Sequence, residues 1–184
     1  RTRLVGSEMC IRDSLKTDWR QGLDPNEIEK RLRLDADKKI KAVCIVHNET
    51  STGCISDVKA VREILDNLNH DALLMVDTIS GLASMNYEHD EWGVDITISG
   101  SQKGLMLPPG LSFNAISEKA INASKKSDLK KSYWDWDEHL EFNRTGFFPY
   151  TPATNLLFGL KEAIEMLSLI HISRAHETCP DLVC

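Results

Sequence analysis

Ala72-Leu73-Leu74-Met75-Val76-Asp77-Thr78 and Asp95-Ile96-Thr97-Ile98-Ser99-Gly100-Ser101-Gln102-Lys103-Gly104 are the stretches that decide the fold. Each is a short apolar or β-branched run that stops abruptly on polar residues, the pattern of a buried strand whose carboxyl end opens into a loop. Lys41-Ala42-Val43-Cys44-Ile45-Val46-His47 has the same character and predicts a strand buried on both faces. Helical signals separate these runs. Asp24 is a good N-cap with Pro25 in the first helical position, opening a helix through Ile28 and Leu32. Ser56 reads as the cap of a second helix, in which Val58, Val61, Ile64, Leu65 and Leu68 follow helical spacing.

Beyond the Lys103 turn, Leu111-Ser112-Phe113-Asn114-Ala115-Ile116 predicts a further strand, and Ser117 caps a helix through Ala123. The Trp-rich piece Tyr133-Trp134-Asp135-Trp136-Asp137 reads as irregular. Thr154 to Leu167 is amphipathic, with Leu156, Leu157, Leu160, Ile164 and Leu167 on one side. Alternating buried strands and helices predict an α/β fold: a three-layer α/β/α arrangement around a mostly parallel sheet, with helices on both faces.

The chain has 184 residues, the size of one domain, with a net charge of −6 and no dense basic block interleaved with aromatics. Nucleic acid is therefore not an expected partner; Lys125-Lys126 and Lys130-Lys131 read as a solvated surface. No apolar run approaches the roughly 20 residues that span a bilayer, so no membrane partner is expected. The amino-terminal residues lack the apolar core of a signal peptide. Cys10, Cys44, Cys54, Cys179 and Cys184 form no Cys-x-x-Cys pair, and no histidine cluster has zinc-finger spacing. Buried free thiols in a reducing cytoplasm are the expectation, with no metal. There is no Gly-x-Gly-x-x-Gly and no Walker sequence, so nucleotide binding is not supported.

The two ends do not match the middle. RTRLVGSEMCIRDS, residues 1–14, has no periodicity, and SLIHISRAHETCPDLVC, residues 168–184, interrupts a good amphipathic helix. Both resemble translated sequencing-adapter read-through, and residues 15–167 are expected to carry the native fold. On that reading His171 and His176 are ligands of nothing.

In doubly wound sheets, ligands collect outside the carboxyl ends of the strands. His47-Asn48-Glu49-Thr50, Asp77-Thr78 and Ser101-Gln102-Lys103 all follow such ends, so three polar clusters are expected on one edge. A lysine amine and a carboxylate at neighbouring strand ends are what a pyridoxal phosphate enzyme needs. The amine forms a Schiff base, and the acid keeps the pyridine nitrogen protonated. Lys103 has small or uncharged neighbours with Leu105, Met106 and Leu107 following, which predicts partial desolvation of its amine. Plainer readings exist for each residue alone. Lys103 can be a surface lysine, Asp77 can cap the next turn through Thr78 or Ser80, and Asn48 to Gly53 can be a turn closed by its own side chains.

Taken in order, His47-Asn48-Glu49-Thr50-Ser51-Thr52-Gly53, Val76-Asp77-Thr78-Ile79-Ser80, Ser99-Gly100-Ser101-Gln102-Lys103-Gly104, Pro108-Pro109-Gly110 and Tyr150-Thr151-Pro152-Ala153-Thr154-Asn155 resemble class V aminotransferases. These are fold type I pyridoxal phosphate enzymes, and the likeness is greatest to the serine–glyoxylate and alanine–glyoxylate branches. Thr17-Asp18-Trp19-Arg20-Gln21-Gly22 fits the serine–glyoxylate branch as well. The resemblance implies that Lys103 carries pyridoxal 5'-phosphate and then moves the substrate proton, while Asp77 pairs with the pyridine nitrogen. It implies that Thr50, with Asn48, lies near the phenolic oxygen and that Gln102 contacts the phosphate. Thr151 is implied to reach the phosphate of the neighbouring subunit in a homodimer; family branches vary at Tyr150. The implied reaction passes an amino group from serine or alanine to glyoxylate.

Against that family pattern, the phosphate loop and ring-stacking aromatic expected before Lys16, and the carboxylate-binding arginine expected after Leu167, are not in this chain. The resemblance therefore implies an internal piece of the large cofactor domain, unable to turn over efficiently alone. Within the family a cysteine desulfurase or lyase is the nearest alternative, for which Cys44 in a strand is a poor nucleophile and Cys54 has no matched position. A catalytically silent α/β domain is the alternative of another class.

Overall fold

A computed structural model describes residues 13–176, with side chains through Ser168. A four-stranded sheet runs in the order β1 (Ala42–Val46), β2 (Leu73–Asp77), β3 (Ile96–Gly100), β4 (Ser112–Ile116). The first three strands are parallel, with Val46 opposite Asp77 and Asp77 opposite Ile98. β4 is antiparallel to β3, with Gly100 opposite Ser112. The link from Ser101 to Leu111 is a loop without a helix, and so short a connection returns a strand alongside its neighbour rather than crossing over.

Helix α1 (Pro25–Arg33) is capped by Asp24, whose carboxylate accepts the Asn26 amide, with Pro25 at its start, as expected. Helix α2 (Val58–Asn67) buries Val58, Val61 and Leu65 at the expected spacing. Its cap is Asp57 rather than Ser56. Ser56 is buried, and its hydroxyl accepts the Leu23 amide at 3.3 Å, so it joins two segments instead of starting a helix. Ile28, Leu32, Val58, Val61 and Leu65 close over Ile45, Leu74 and Val76 to form the core.

That core lies on one side of β1. The expectation that β1 is buried on both faces is corrected: Cys44 and Val46, which alternate with Val43 and Ile45, are exposed. A continuous apolar run shows that a strand can be covered twice; whether it is depends on elements elsewhere in the chain. The expectation of buried thiols fails at Cys44 for the same reason, while Cys54 is partly buried and both are free. Cys10, Cys179 and Cys184 lie outside the described residues.

Helix α3 (Glu118–Lys125) is capped by Ser117 as expected. The Trp-rich segment is more regular than its composition suggests. A 3-10 turn at Ser132–Trp134 leads into helix α4 (Trp136–Arg144), capped by Asp135 through the Asp137 amide. Acidic Asp137 and Glu138 in its first turn and Arg144 in its last suit the helix dipole. Helix α5 runs Thr154–His176, through Leu167, where the sequence predicts a break. Ala163 rather than Ile164 is buried on its inner side. Among the described residues no helix is long and apolar enough to cross a membrane, and no cluster of metal-ligating side chains occurs.

The amino ends of the strands are tied by Asp95. Its carboxylate accepts the Leu74 amide and the Ser117 hydroxyl, each at 2.9 Å, with Lys119 Nζ at 3.5 Å and Arg62 at 3.6 Å. That knot joins β2, β3, α2 and α3 at the end opposite the three polar clusters.

Candidate active site

The carboxyl ends of β1, β2 and β3 lie side by side, about 4.8 Å apart from strand to strand. Their following loops are stitched together by the backbone. The His47 amide donates to the Asp77 carbonyl at 2.9 Å, and the amide of buried Thr78 donates to the Ile98 carbonyl at 2.8 Å, joined by the Thr78 hydroxyl at 3.1 Å.

Asp77 closes β2 and is exposed. Its Oδ1 accepts the Ile79 amide at 2.9 Å, shaping the next turn. Oδ2 has no hydrogen-bond partner among the described residues. The turn-capping reading of Asp77 is thus realised with one oxygen and leaves the other available.

The loop after β1 is folded back by an isolated antiparallel bridge between Asn48 and Ile55. Glu49 Oε1 accepts both the amide and the hydroxyl of Ser51, at 2.9 and 2.6 Å, and this holds the Glu49 carboxyl below its ordinary range. Gly53, at φ +72°, closes the turn by donating to the Glu49 carbonyl at 2.7 Å. Thr50 stands exposed at the tip. Asn48, at the base, donates its amide to Ser80 Oγ at 2.9 Å, and Ser80 returns its hydroxyl proton to the Asn48 carbonyl at 2.7 Å.

The Lys103 loop is held by Ser101, which is fully buried. Its hydroxyl donates to the Pro108 carbonyl at 2.7 Å and accepts the Leu111 amide at 3.2 Å. Its own amide donates to Leu111 and its carbonyl accepts Leu107, each at 3.1 Å. Both arms of the loop are thereby pinned to one serine, with Gln102 and Lys103 exposed at its start. Gly104 rests on the segment that follows Asp77: a Cβ there would stand 2.2 Å from the Leu82 carbonyl oxygen, so only glycine allows the approach. The expected desolvation is not found in this chain, since Lys103 is exposed and Met106 points outward at 66% exposure. Among the described residues no hydrogen bond or ion pair holds the Lys103 amine.

Thr151 is exposed in the segment just before α5. That helix packs on the outgoing arm of the Lys103 loop, with Leu156 against Gly110 and Gly159 against Leu107. Thr151 is therefore anchored near the same loop.

The structure thus gathers Asp77, Thr50, Asn48, Gln102 and Lys103 on one rim, and Thr151 leads into the helix that packs on it. The roles of Ser80, Ser101 and the Gly104–Leu82 contact are visible only in the structure. The small size of Ser101 between strand and lysine is a usable signal in the sequence; the partners of Ser80 and Gly104 lie in other loops.

A family model for Aminotransferase class-V matches residues 12–182. The serine–glyoxylate aminotransferase of Methylorubrum extorquens is 46% identical over 168 residues, covering 89% of this chain and 41% of the relative. The L-aspartate–glyoxylate aminotransferase of Paracoccus denitrificans is 42% identical over 166 residues, covering 87% and 42%. Among solved structures, the ureidoglycine–glyoxylate aminotransferase of Bacillus subtilis superposes with a TM-score of 0.70 at 28% identity, over 83% of this chain and 39% of that one. The fold and site define part of a pyridoxal phosphate-binding domain. The chain belongs to the class-V aminotransferase family, and it spans about two fifths of the length of the curated relatives it matches.

The donor set fits pyridoxal 5'-phosphate. A primary amine, a carboxylate oxygen without a partner, and hydroxyl and amide side chains are exposed on one rim, matching an aldehyde, a ring nitrogen, and phenolic and phosphate oxygens.

Proposed function

We propose that this chain carries the lysine-bearing part of an aminotransferase that moves an amino group from serine to glyoxylate, giving hydroxypyruvate and glycine, with alanine (giving pyruvate) as the alternative donor. The observation that carries the reading is the pairing of an unengaged Asp77 oxygen with an unengaged Lys103 amine at the ends of adjacent strands. Glyoxylate as acceptor is supported by the names of both curated relatives; serine as donor is supported by the more similar of the two.

When bound, pyridoxal phosphate supplies an aldehyde that captures amines and a ring that withdraws electrons. Lys103 Nζ would hold that aldehyde, and as a free amine it would carry the proton to and from the substrate Cα. Asp77 Oδ2 would hold a proton at the ring nitrogen. Thr50 would hold the phenolic oxygen, Gln102 the phosphate, and Thr151 the phosphate held by the partner subunit in a homodimer. Asn48 supports the Thr50 loop from its base. A desulfurase reading finds little support, since the Cys54 sulfur is turned to the Trp19 carbonyl at 3.5 Å.

The test is to incubate the chain with pyridoxal phosphate, reduce with borohydride and map the adduct. Selective labelling of Lys103 is the expected result. Labelling scattered over surface lysines would overturn the reading in favour of a catalytically silent domain.

A further inference from the structure

The carboxyl ends of β1 and β2 are joined by two hydrogen bonds that no local rule requires, one between side chains and one from a side chain to the main chain. Asn48 Nδ2 donates to Ser80 Oγ at 2.9 Å, and that same hydroxyl donates to the Asn48 carbonyl at 2.7 Å. Both residues are partly buried, whereas Thr50 and Asp77, which they flank, are exposed. Ser80 lies three residues beyond Asp77, and Asn48 two before Thr50. Each loop has its own internal closure: Asp77 takes the Ile79 amide, and Glu49 takes Ser51. Neither closure fixes one loop against the other; beyond the strand pairing, the Asn48–Ser80 pair is the side-chain link that does so.

We propose that Asn48 and Ser80 are positioning residues that set the distance between Thr50 and Asp77, and through it the fit of the cofactor ring between its phenolic and pyridine edges. This rests on the reading that Thr50 and Asp77 hold those two edges. A ring is rigid, so a loop that swings by a fraction of an ångström loses one contact while keeping the other.

The experiment uses this chain titrated with pyridoxal phosphate, following the bound cofactor's absorbance against pH, with the melting curve of the unliganded protein recorded beside it. Asn48→Leu, which loses one hydrogen bond, is expected to weaken cofactor binding about fivefold, and Ser80→Ala, which loses both, by at least as much; each is expected to shift the pH midpoint of the absorbance band. Ser80→Thr, which keeps the hydroxyl, is expected to restore both. The double variant is expected to be no worse than Ser80→Ala, because both bonds run through the Ser80 hydroxyl.

The proposal is overturned if Ser80→Ala and Asn48→Leu leave affinity and spectrum at wild-type values while Asp77→Asn and Thr50→Val move them. It is equally overturned if the variants lower the unliganded melt and their spectra, at cofactor saturation, match wild type, since the pair is then structural only. If Asp77→Asn and Thr50→Val also leave the spectrum unmoved, the reading of the site has failed, and the positioning role falls with it.

Discussion

Asp95, just ahead of β3, and Asp77, at the end of β2, are the same residue type at opposite ends of neighbouring parallel strands. Asp95 is buried and surrounded by donors: the Leu74 amide, the Ser117 hydroxyl, Lys119 and Arg62. Asp77 is exposed, and only one of its oxygens is used, for its own turn. The two lysines repeat the contrast. Lys119 Nζ donates to the Ala72 carbonyl at 2.9 Å and approaches Asp95, whereas Lys103 is held by nothing among the described residues. A charged group that serves the fold is saturated by its own chain, and one that serves chemistry keeps a valence open.

Substituting the aspartates puts that contrast to its most severe test. Asp95→Ala leaves Arg62, whose Nε is already buried without a partner, with Asp66 as its remaining counter-charge, and strips the Leu74 amide of its acceptor. A loss of about 3–5 kcal/mol of stability is expected by urea unfolding. Asp77→Ala is expected to change stability by less than about 0.5 kcal/mol while cofactor binding collapses. Comparable stability losses at both positions would erase the distinction.

Ser101 sharpens the boundary between the two roles, because it is a fold residue inside the site. Ser101→Ala takes the side-chain acceptor from the partly buried Leu111 amide and the donor from the Pro108 carbonyl, and about 1–3 kcal/mol should be lost. Its labelling at Lys103 should fall as well, since both arms of that loop depend on the hydroxyl. Among the lysines, Lys119→Ala should cost about 1 kcal/mol. Lys103→Ala should leave the melt unchanged and abolish the borohydride-trapped adduct. An adduct of undiminished yield in Lys103→Ala would break the assignment of that amine.

Whatever depends on neighbours along the chain was legible in advance. The caps at Asp24 and Ser117, the Val58–Val61–Leu65 stripe and the strand end at Asp77 are local patterns, and the structure reproduces them; β3 runs one residue past Ser99, to Gly100. Helix α4 was not legible: Leu140 and Phe142 are exposed, so the helix has no apolar stripe to announce it, and its start rests on the single Asp135 cap. The exposed face of β1 was hidden because apolar content records what a strand can bury and says nothing of which helices arrive to cover it. At the site, the residue types could be read, but the Asn48–Ser80 pair joins positions 32 apart in sequence. No spacing rule reaches that far.

The smallest expected effect concerns His47, which sits beside Asp77 in the backbone ladder yet belongs to the fold. Its ring is 3% exposed, packed on Tyr87 at 5.2 Å and Trp92 at 6.1 Å between centroids, with Nδ1 buried and unpartnered. Burial holds its pKa below the ordinary histidine value. The unfolded chain therefore binds a proton at a pH where the native chain does not. Stability is then fully present above about pH 6.5 and declines as pH falls through that value toward the native pKa. Asp35 and Glu49, whose pKa values are also lowered, act only below the ordinary carboxylate range, so the window just under pH 6.5 belongs to histidines, and a His47 variant separates this imidazole from the others. Thermal melts between pH 7.5 and 5 should show the decline in the wild-type chain, and His47→Gln, with no titrating group at that position, should make it shallower whatever its own baseline stability. A slope in His47→Gln equal to that of the wild-type chain would mean that folding leaves the proton affinity of His47 unchanged, and would move it from the saturated, structural set to the open one.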